Sequence, residues 1–391
     1  MSTERVRGAH RRPTRGKPPR GKDAVTCPYC FALFGRDRIA YRCLGRAGRG
    51  VGCDPVLDKE LAAYQGTQAG ATLPPVFTGR GARASCPDCG RESGRRVCPE
   101  CHHELAPAYC DTPGRIVALV GAKNAGKSTY IAVLLHELRN RVGGELGTSL
   151  VACDDRTIER YKRDFARPLF DQQRLLPTTP SAVTAPREPL VYLLTRRVRG
   201  RFGARTEALT LVLFDTAGED LRSRDVRDLH LRYLEAADAI IFLADPLELT
   251  GGGAESEPLD VLARVTEPLR QRHGLDIGDR LKVPIAVALT KIDALELPPQ
   301  SALRRARTRS GALDADDRAA VDAHVRALLD DWGAGDLDRY LEQHYAEYGL
   351  FGVSALGGSP RGDEVATGGV RPYRVEDPLL WLLHRFGMLD G

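Results

Sequence analysis

Residues Arg115–Thr129 read RIVALVGAKNAGKST. A short apolar run ends in G-x-x-x-x-G-K-S, and an amphipathic helical stretch follows. Gly121 and Gly126 let the backbone wrap around phosphates, so that successive N–H groups point inward at a helix N-terminus. Lys127 can reach β- and γ-phosphates as a compact point charge, and Ser128 offers a hydroxyl to Mg²⁺. The bland alternative is a glycine-containing turn that binds nothing, and the flanking strand and helix weigh against it. The loop therefore predicts a nucleotide site built from Gly121, Asn124, Ala125, Gly126, Lys127, Ser128 and Thr129. It does not choose between ATP and GTP.

Three later segments make that choice. Leu209–Gly218 (LTLVLFDTAG) ends a strand in D-x-x-G. Asp215 is expected to hold Mg²⁺ through water, and the Gly218 N–H to meet the γ-phosphate and sense its presence. Val283–Asp293 (VPIAVALTKID) is an apolar strand ending in T-K-x-D. The Asp293 carboxylate can accept from N1–H and the 2-amino group of guanine, a donor pair adenine lacks. The stem of Lys291, which follows Thr290, would lie against the purine. Finally Leu350–Leu356 (LFGVSAL) gives a strand followed by Ser354, Ala355 and Leu356, with the Ala355 N–H expected at guanine O6. Each element is at a strand end, where a doubly wound sheet puts its ligand.

With these four motifs in order, residues 115–356 resemble the translation-factor and small-G-protein class of P-loop GTPases. The resemblance implies an α/β fold with a mainly parallel sheet, GTP or GDP as ligand, Mg²⁺ as cofactor and hydrolysis of the γ-phosphate. Three positions depart from the common pattern. Glu219 stands where Ras-like proteins carry a water-orienting Gln; it could orient water or act as a base, but faces an anionic phosphate. Asn124 gives G-x-x-N-x-G-K-S, similar to the cation-assisted Era and TrmE type, which implies K⁺ beside the phosphates. An Asn tolerated in a loop of unusual backbone angles is the other reading. The switch-I threonine is not obvious; Thr178 and Thr179 in Leu176–Ser181 (LPTTPS) are equal candidates.

Around this centre, strands are expected at Arg115–Val120, Leu190–Thr195, Leu209–Phe214, Ala239–Ala244, Val283–Leu289 and Leu350–Val353. Helices are expected at Ser128–Arg141, Thr157–Phe170, Arg224–Ala236, Leu259–Arg272, Ala315–Trp332 and Pro378–Phe386, the last capped by Asp377. The alternation predicts one α/β domain over residues 113–391, with added helices at about 297–348. At 391 residues with 42% hydrophobic and 28% charged content, the chain is an ordinary soluble globular protein. No apolar run approaches the roughly 20 residues of a membrane span. A basic N-terminus without an apolar segment argues against secretion, so a cytoplasmic location is expected. Only eight of the 57 Lys and Arg residues are Lys. Such Arg bias, with abundant Ala and Gly, reads as a GC-rich genome and weakens any inference to nucleic-acid binding.

Residues 1–25 are basic and nearly devoid of apolar side chains, a composition that predicts a disordered tail. Residues 26–110 hold nine of the ten cysteines. The stretch Ala69–Arg83 (AGATLPPVFTGRGAR) divides them and reads as a linker within 61–85. Cys27, Cys30, Cys43 and Cys53 would bind one Zn²⁺ over residues 26–60. Cys86, Cys89, Cys98 and Cys101 would bind a second over 86–112. Disulfides are disfavoured in a cytosolic chain, and the spacing does not suit an Fe–S cluster. His102 and His103 are expected to face solvent, and Cys110 and Cys153 to be ordinary small residues.

Two zinc ribbons before such a GTPase, together with the ending VEDPLLWLL (Val375–Leu383), resemble the double-GTPase families of actinobacteria. That resemblance implies a regulatory switch in a conflict or defence system, with a protein partner such as a second GTPase subunit. A ribosome- or RNA-associated GTPase using its ribbons on nucleic acid is the rival. A nucleotide-binding scaffold with negligible hydrolysis is the third reading.

Overall fold

The structure is a computed structural model that describes residues 24–46, 50–122, 124–177, 189–200, 203–214, 232–250, 257–305 and 312–390. The basic tail and most of the expected helix Arg224–Ala236 lie outside these residues.

The cysteine-rich part consists of short strands: β1 Ala24–Thr26, β2 Leu33–Gly35, β3 Ala40–Arg42, β4 Val56–Leu57, β5 Thr72–Leu73, β6 Val76–Thr78, β7 Ala84–Ser85, β8 Glu92–Ser93, β9 Arg96–Val97 and β10 Glu104–Leu105. Four of them form one sheet in the order β10-β9-β3-β6. β3 pairs on one side with β9 and on the other with β6, so both cysteine-rich segments share a single sheet. The expected division into two successive ribbons is therefore replaced by one interleaved module. Ala69–Arg83 is not a linker, since it contributes β5 and β6; its glycines and prolines bend the chain between strands of only two or three residues. Helix α1 (Lys59–Gln65) starts at an Asp58 cap that accepts from the Leu61 N–H and stops at Gly66, whose φ of 67° is left-handed. Helix α2 (Pro107–Asp111) leads into the larger domain.

That domain is built on β11 Gly114–Gly121, β12 Thr148–Ala152, β13 Leu190–Gly200, β14 Gly203–Phe214, β15 Ala239–Ala244, β16 Ile285–Leu289 and β17 Tyr348–Gly352. The sheet order is β12-β13-β14-β11-β15-β16-β17. β14, β11, β15, β16 and β17 run parallel, and β13 and β12 join antiparallel at one edge. β15 (AIIFLA) and β16 (IAVAL) are buried at every residue, as parallel strands covered on both faces must be. β12 was not expected, and β13 and β14 extend beyond their expected limits as the arms of a long hairpin.

The helices include α3 Lys127–Glu137, α4 Asp155–Arg160, α5 Pro246–Leu249, α6 Glu257–His273, α7 Ala315–Asp331, α8 Gly335–His344 and α9 Asp377–Arg385. α3 continues as a π-helical stretch over Leu138–Val142, and α4 as a longer one over Tyr161–Asp171. Alternation along β11 separates two cores. Ile116, Ala118 and Val120 face a layer containing α6, the inserted α7 and α8, and Cys27, Cys98 and Cys101. Val117 and Leu119 face α3, the Tyr161–Asp171 π-helix and α9. α3 is buried almost all round, from Tyr130 to Leu135, so it is a central helix rather than an amphipathic surface one.

The last helix corrects one detail. α9 begins at Asp377 with Glu376 before it, so Asp377 is its first residue and not its cap. The Asp377 carboxylate is drawn back to the buried Arg374 guanidinium at 2.8 Å. Leu379, Leu380, Leu382 and Leu383 are buried as expected. Among the described residues no helix is long and apolar enough to cross a membrane.

Candidate nucleotide site and cysteine clusters

β11, β15, β16 and β17 end side by side, and the loops leaving three of them define the site. After β11, Asn124 and Gly126 take left-handed φ angles of 64° and 80°. Gly121 has a different constraint: a Cβ there would stand 2.4 Å from the Leu243 carbonyl oxygen on neighbouring β15. Lys127 is buried, and its ammonium donates to the carbonyls of Gly121 at 2.8 Å and Ala122 at 2.7 Å. The loop thus turns around its own lysine at the N-terminus of α3.

After β16, Thr290 ties this strand end to β15, donating from its N–H and its hydroxyl to the Ala244 carbonyl at 2.9 and 3.2 Å. Lys291 has a left-handed φ of 52°, and its ammonium lies 2.5 Å from Asp245 Oδ2. After β17, the fully buried Ser354 donates its hydroxyl hydrogen to Asp293 Oδ1 and accepts from the Gly357 N–H at 2.8 Å. Tyr373 and Ser354 exchange backbone hydrogen bonds, which closes the loop Ala355–Pro372 onto the strand end.

These three loops line one cavity of about 530 Å³. Asn124–Thr129 of the phosphate loop line it, together with Thr290, Lys291, Asp293, Ser354, Ala355 and Leu356. A volume of this size suits a nucleotide. Gly121 lies beneath, as a carbonyl acceptor for Lys127. Thr178, Thr179, Asp215, Gly218 and Glu219 lie outside the described residues; β14 runs to Phe214, which pairs with Ala118 of the phosphate-loop strand.

Two further roles are absent from the sequence reading, which named Leu176–Ser181 for its threonines alone. Leu175, Leu176 and Pro177 form an apolar wall, held by bonds from Leu175 N–H to the Asp363 carbonyl (2.8 Å) and from Val365 N–H to the Gln173 carbonyl (2.9 Å). No local pattern announces a pairing between segments so far apart. Asp245 is the second; it directly follows an apolar strand, a position that could have drawn attention to it. Near it, burial raises the Glu248 carboxyl, the like charges of Glu257 and Asp245 raise it further, and Lys291 and Lys127 oppose them.

The cysteines regroup. Cys27, Cys30, Cys98 and Cys101 form one cluster, and Cys43, Cys53, Cys86 and Cys89 the other. The two expected ligand sets are thus corrected: each mixes both segments. Three C-x-x-C turns are alike, with the residue after the second cysteine at left-handed φ (Phe31 60°, Gly90 71°, His102 55°). Sulfur separations are 3.8 Å for Cys27–Cys101 and Cys30–Cys98, 3.6 Å for Cys43–Cys89 and 3.7 Å for Cys53–Cys86. A tetrahedral S₄ zinc with bonds of about 2.3 Å sets its sulfurs about 3.8 Å apart, and a disulfide needs about 2.0 Å. Each cluster therefore fits one Zn²⁺.

The two histidines do not face solvent freely. His102 Nδ1 lies 2.8 Å from Asp58 Oδ1. His103 is buried and stacks on Tyr29 at 3.9 Å, and burial holds its imidazole down at about 4. Burial raises the Cys110 thiol to about 11 and the Cys153 thiol to about 12, which suits unreactive packing residues.

The profile of the Double-GTPase 2 family matches residues 115–330, from the phosphate loop through α7. The chain belongs to the Double-GTPase 2 family. Its cysteine clusters precede the matched domain. Over 420 aligned residues, 93% of this chain and 99% of the other, it is 27% identical to a Mycolicibacterium smegmatis protein named putative ESX-1 scaffolding and assembly protein SaeC. Among solved structures, it is 17% identical to the Arl6 BBS3 small GTPase of Trypanosoma brucei with bound GppNp, covering 71% of this chain and 99% of that one, TM-score 0.29. The S. cerevisiae Ski7 GTPase-like domain bound to GDP and phosphate is 14% identical over 72% of this chain and 51% of that one, TM-score 0.31.

Proposed function

We propose that this Double-GTPase 2 protein is a guanine-nucleotide switch that binds GTP and GDP and hydrolyses GTP to GDP and phosphate. One observation carries the reading: Lys127 and Asp293 border a single cavity, and Ser354 holds the Asp293 carboxylate. A phosphate-binding loop and a carboxylate suited to guanine N1–H and 2-amino groups thus line the same nucleotide-sized space. Asn124–Thr129 wrap the phosphates, and Lys127 transfers its ammonium from loop carbonyls to phosphate oxygens. Ser128 with Asp215 would hold Mg²⁺, which neutralises phosphate charge when bound. Water oriented by Glu219 attacks the γ-phosphorus, and the bond from that phosphorus to the bridging oxygen breaks. GDP leaves with that oxygen, and the protons of the water pass to the released phosphate and to solvent. Thr178 or Thr179 would complete the Mg²⁺ shell, the Gly218 N–H would report the γ-phosphate, and Asn124 would hold K⁺.

The GTP state recruits a protein partner, such as a second GTPase subunit. The name of the mycobacterial relative favours a second reading, a nucleotide-binding scaffold with negligible hydrolysis. Phosphate release from zinc-replete protein separates the two. Turnover that is faster in K⁺ than in Na⁺ and lost in Lys127→Ala is expected for the switch. GTP binding without release of phosphate in either salt leaves the scaffold. Affinity capture with GTP-locked and GDP-bound protein then tests recruitment, and salt-dependent RNA binding would move the reading to the nucleic-acid rival.

A further inference from the structure

We propose that Asp245 is a positioning residue for the guanine end of the site, acting through Lys291. The inference rests on the guanine-nucleotide reading above. Asp245 is the first residue after the buried run Ala239–Ala244 of β15 and is only 4% exposed. Its two carboxylate oxygens have separate tasks. Oδ1 accepts the Leu247 N–H at 3.0 Å and caps α5. Oδ2 takes the Lys291 ammonium at 2.5 Å.

The backbone prepares this pairing. Thr290 clamps the end of β16 to Ala244, the residue before Asp245. Lys291, the residue after Thr290, turns through a left-handed conformation that a lysine adopts only at a cost. A lysine stem has four rotatable bonds, and free in solvent it would sample many rotamers. Here its ammonium is pinned on a buried carboxylate while the rest of the side chain remains partly exposed and lines the cavity. Asp245 thereby fixes the aliphatic stem that is to lie along the purine. Glu248 feels Asp245 and Glu257 as like charges, and the Lys291 ammonium opposes them there.

Asp245→Asn separates the two tasks, because the amide oxygen still caps Leu247 while the charge facing Lys291 is gone. Lys291→Met keeps an apolar stem and removes the ammonium. Titration of zinc-replete protein with methylanthraniloyl-GDP is expected to give each single variant about tenfold weaker binding than wild type, and the double variant no further loss. Melting temperatures read alongside should stay near wild type for Asp245→Asn. Wild-type affinity in Asp245→Asn overturns the proposal. So does a loss in the double variant equal to the sum of the two single ones, because Asp245 would then act on the fold and not through Lys291. A wild-type chain that binds no guanine nucleotide sinks the underlying reading, and this inference with it.

Discussion

The Ser354 hydroxyl donates to Asp293 Oδ1 and accepts the Gly357 N–H at 2.8 Å, joining residues that stand on different loops. Asp293 follows β16 and Ser354 follows β17, so the carboxylate is aimed by the neighbouring strand. A hydrogen bond to a charged group contributes about 1.5–3 kcal/mol. Ser354→Ala should therefore weaken GDP binding about tenfold or more, by calorimetric titration. Ser354→Thr, which keeps the hydroxyl, should lose less.

The regrouped cysteines make a stoichiometric prediction. Cys30→Ser with Cys98→Ser should remove one Zn²⁺ per chain, because both sit in the same cluster. Cys30→Ser with Cys43→Ser should remove both ions. Two successive ribbons would give the reverse pattern. Elemental analysis of the purified variants distinguishes them.

Zinc removal should also destabilise the larger domain. Cys27, Cys98 and Cys101 belong to the same core as Ile116 and Phe242, and Phe31 packs on Tyr233 with ring centroids 5.5 Å apart. The Tyr233 hydroxyl donates to the Val117 carbonyl and accepts the Leu119 N–H, both at 3.1 Å, on the strand that feeds the phosphate loop. A strong chelator should lower the melting temperature of the whole chain in one transition. Tyr233→Phe should cost about 1–3 kcal/mol by denaturant titration, since it breaks both bonds in the buried core.

A buried ion network ties the inserted helix to the C-terminal one. Arg374 pairs with Asp317 at 2.7 Å and Asp377 at 2.8 Å, and donates to the Arg305 carbonyl at 3.1 Å. Its side chain is 2% exposed against 20% and 11% for the two carboxylates. Arg374→Ala strands Asp377 and Asp317 together and should cost about 3–5 kcal/mol. Circular dichroism across a urea series reads this directly.

Much of the larger domain was legible because its signals are local. The strands after Arg115, Ala239 and Ile285 are uninterrupted apolar runs, and the phosphate loop and the T-K-x-D segment come within a few residues of the first and the last. The zinc module was not, because its organisation is a matter of pairing. Cys27-x2-Cys30 looks the same whether it faces Cys43 or Cys98, and only the β3–β9 pairing decides. Val76–Thr78 is too short to stand out among the glycines and prolines of Ala69–Arg83. Asp245 was overlooked because its meaning depends on Lys291, which reaches it from another strand. His103 reads as a polar residue beside a ligand, yet Tyr29 and Tyr64 enclose its ring.

The central claim is that Asp293 makes this a guanine site. The most direct measurement is the affinity of wild type and Asp293→Asn for GDP, ADP and xanthosine diphosphate. Xanthine has a carbonyl where guanine has the 2-amino group, and an Asn amide can donate to it while accepting from N1–H. The account predicts that wild type binds GDP far more tightly than ADP or xanthosine diphosphate, and that Asp293→Asn reverses the preference between GDP and xanthosine diphosphate. Equal binding of ADP and GDP by wild type, or an Asp293→Asn variant with unchanged preference, would contradict it.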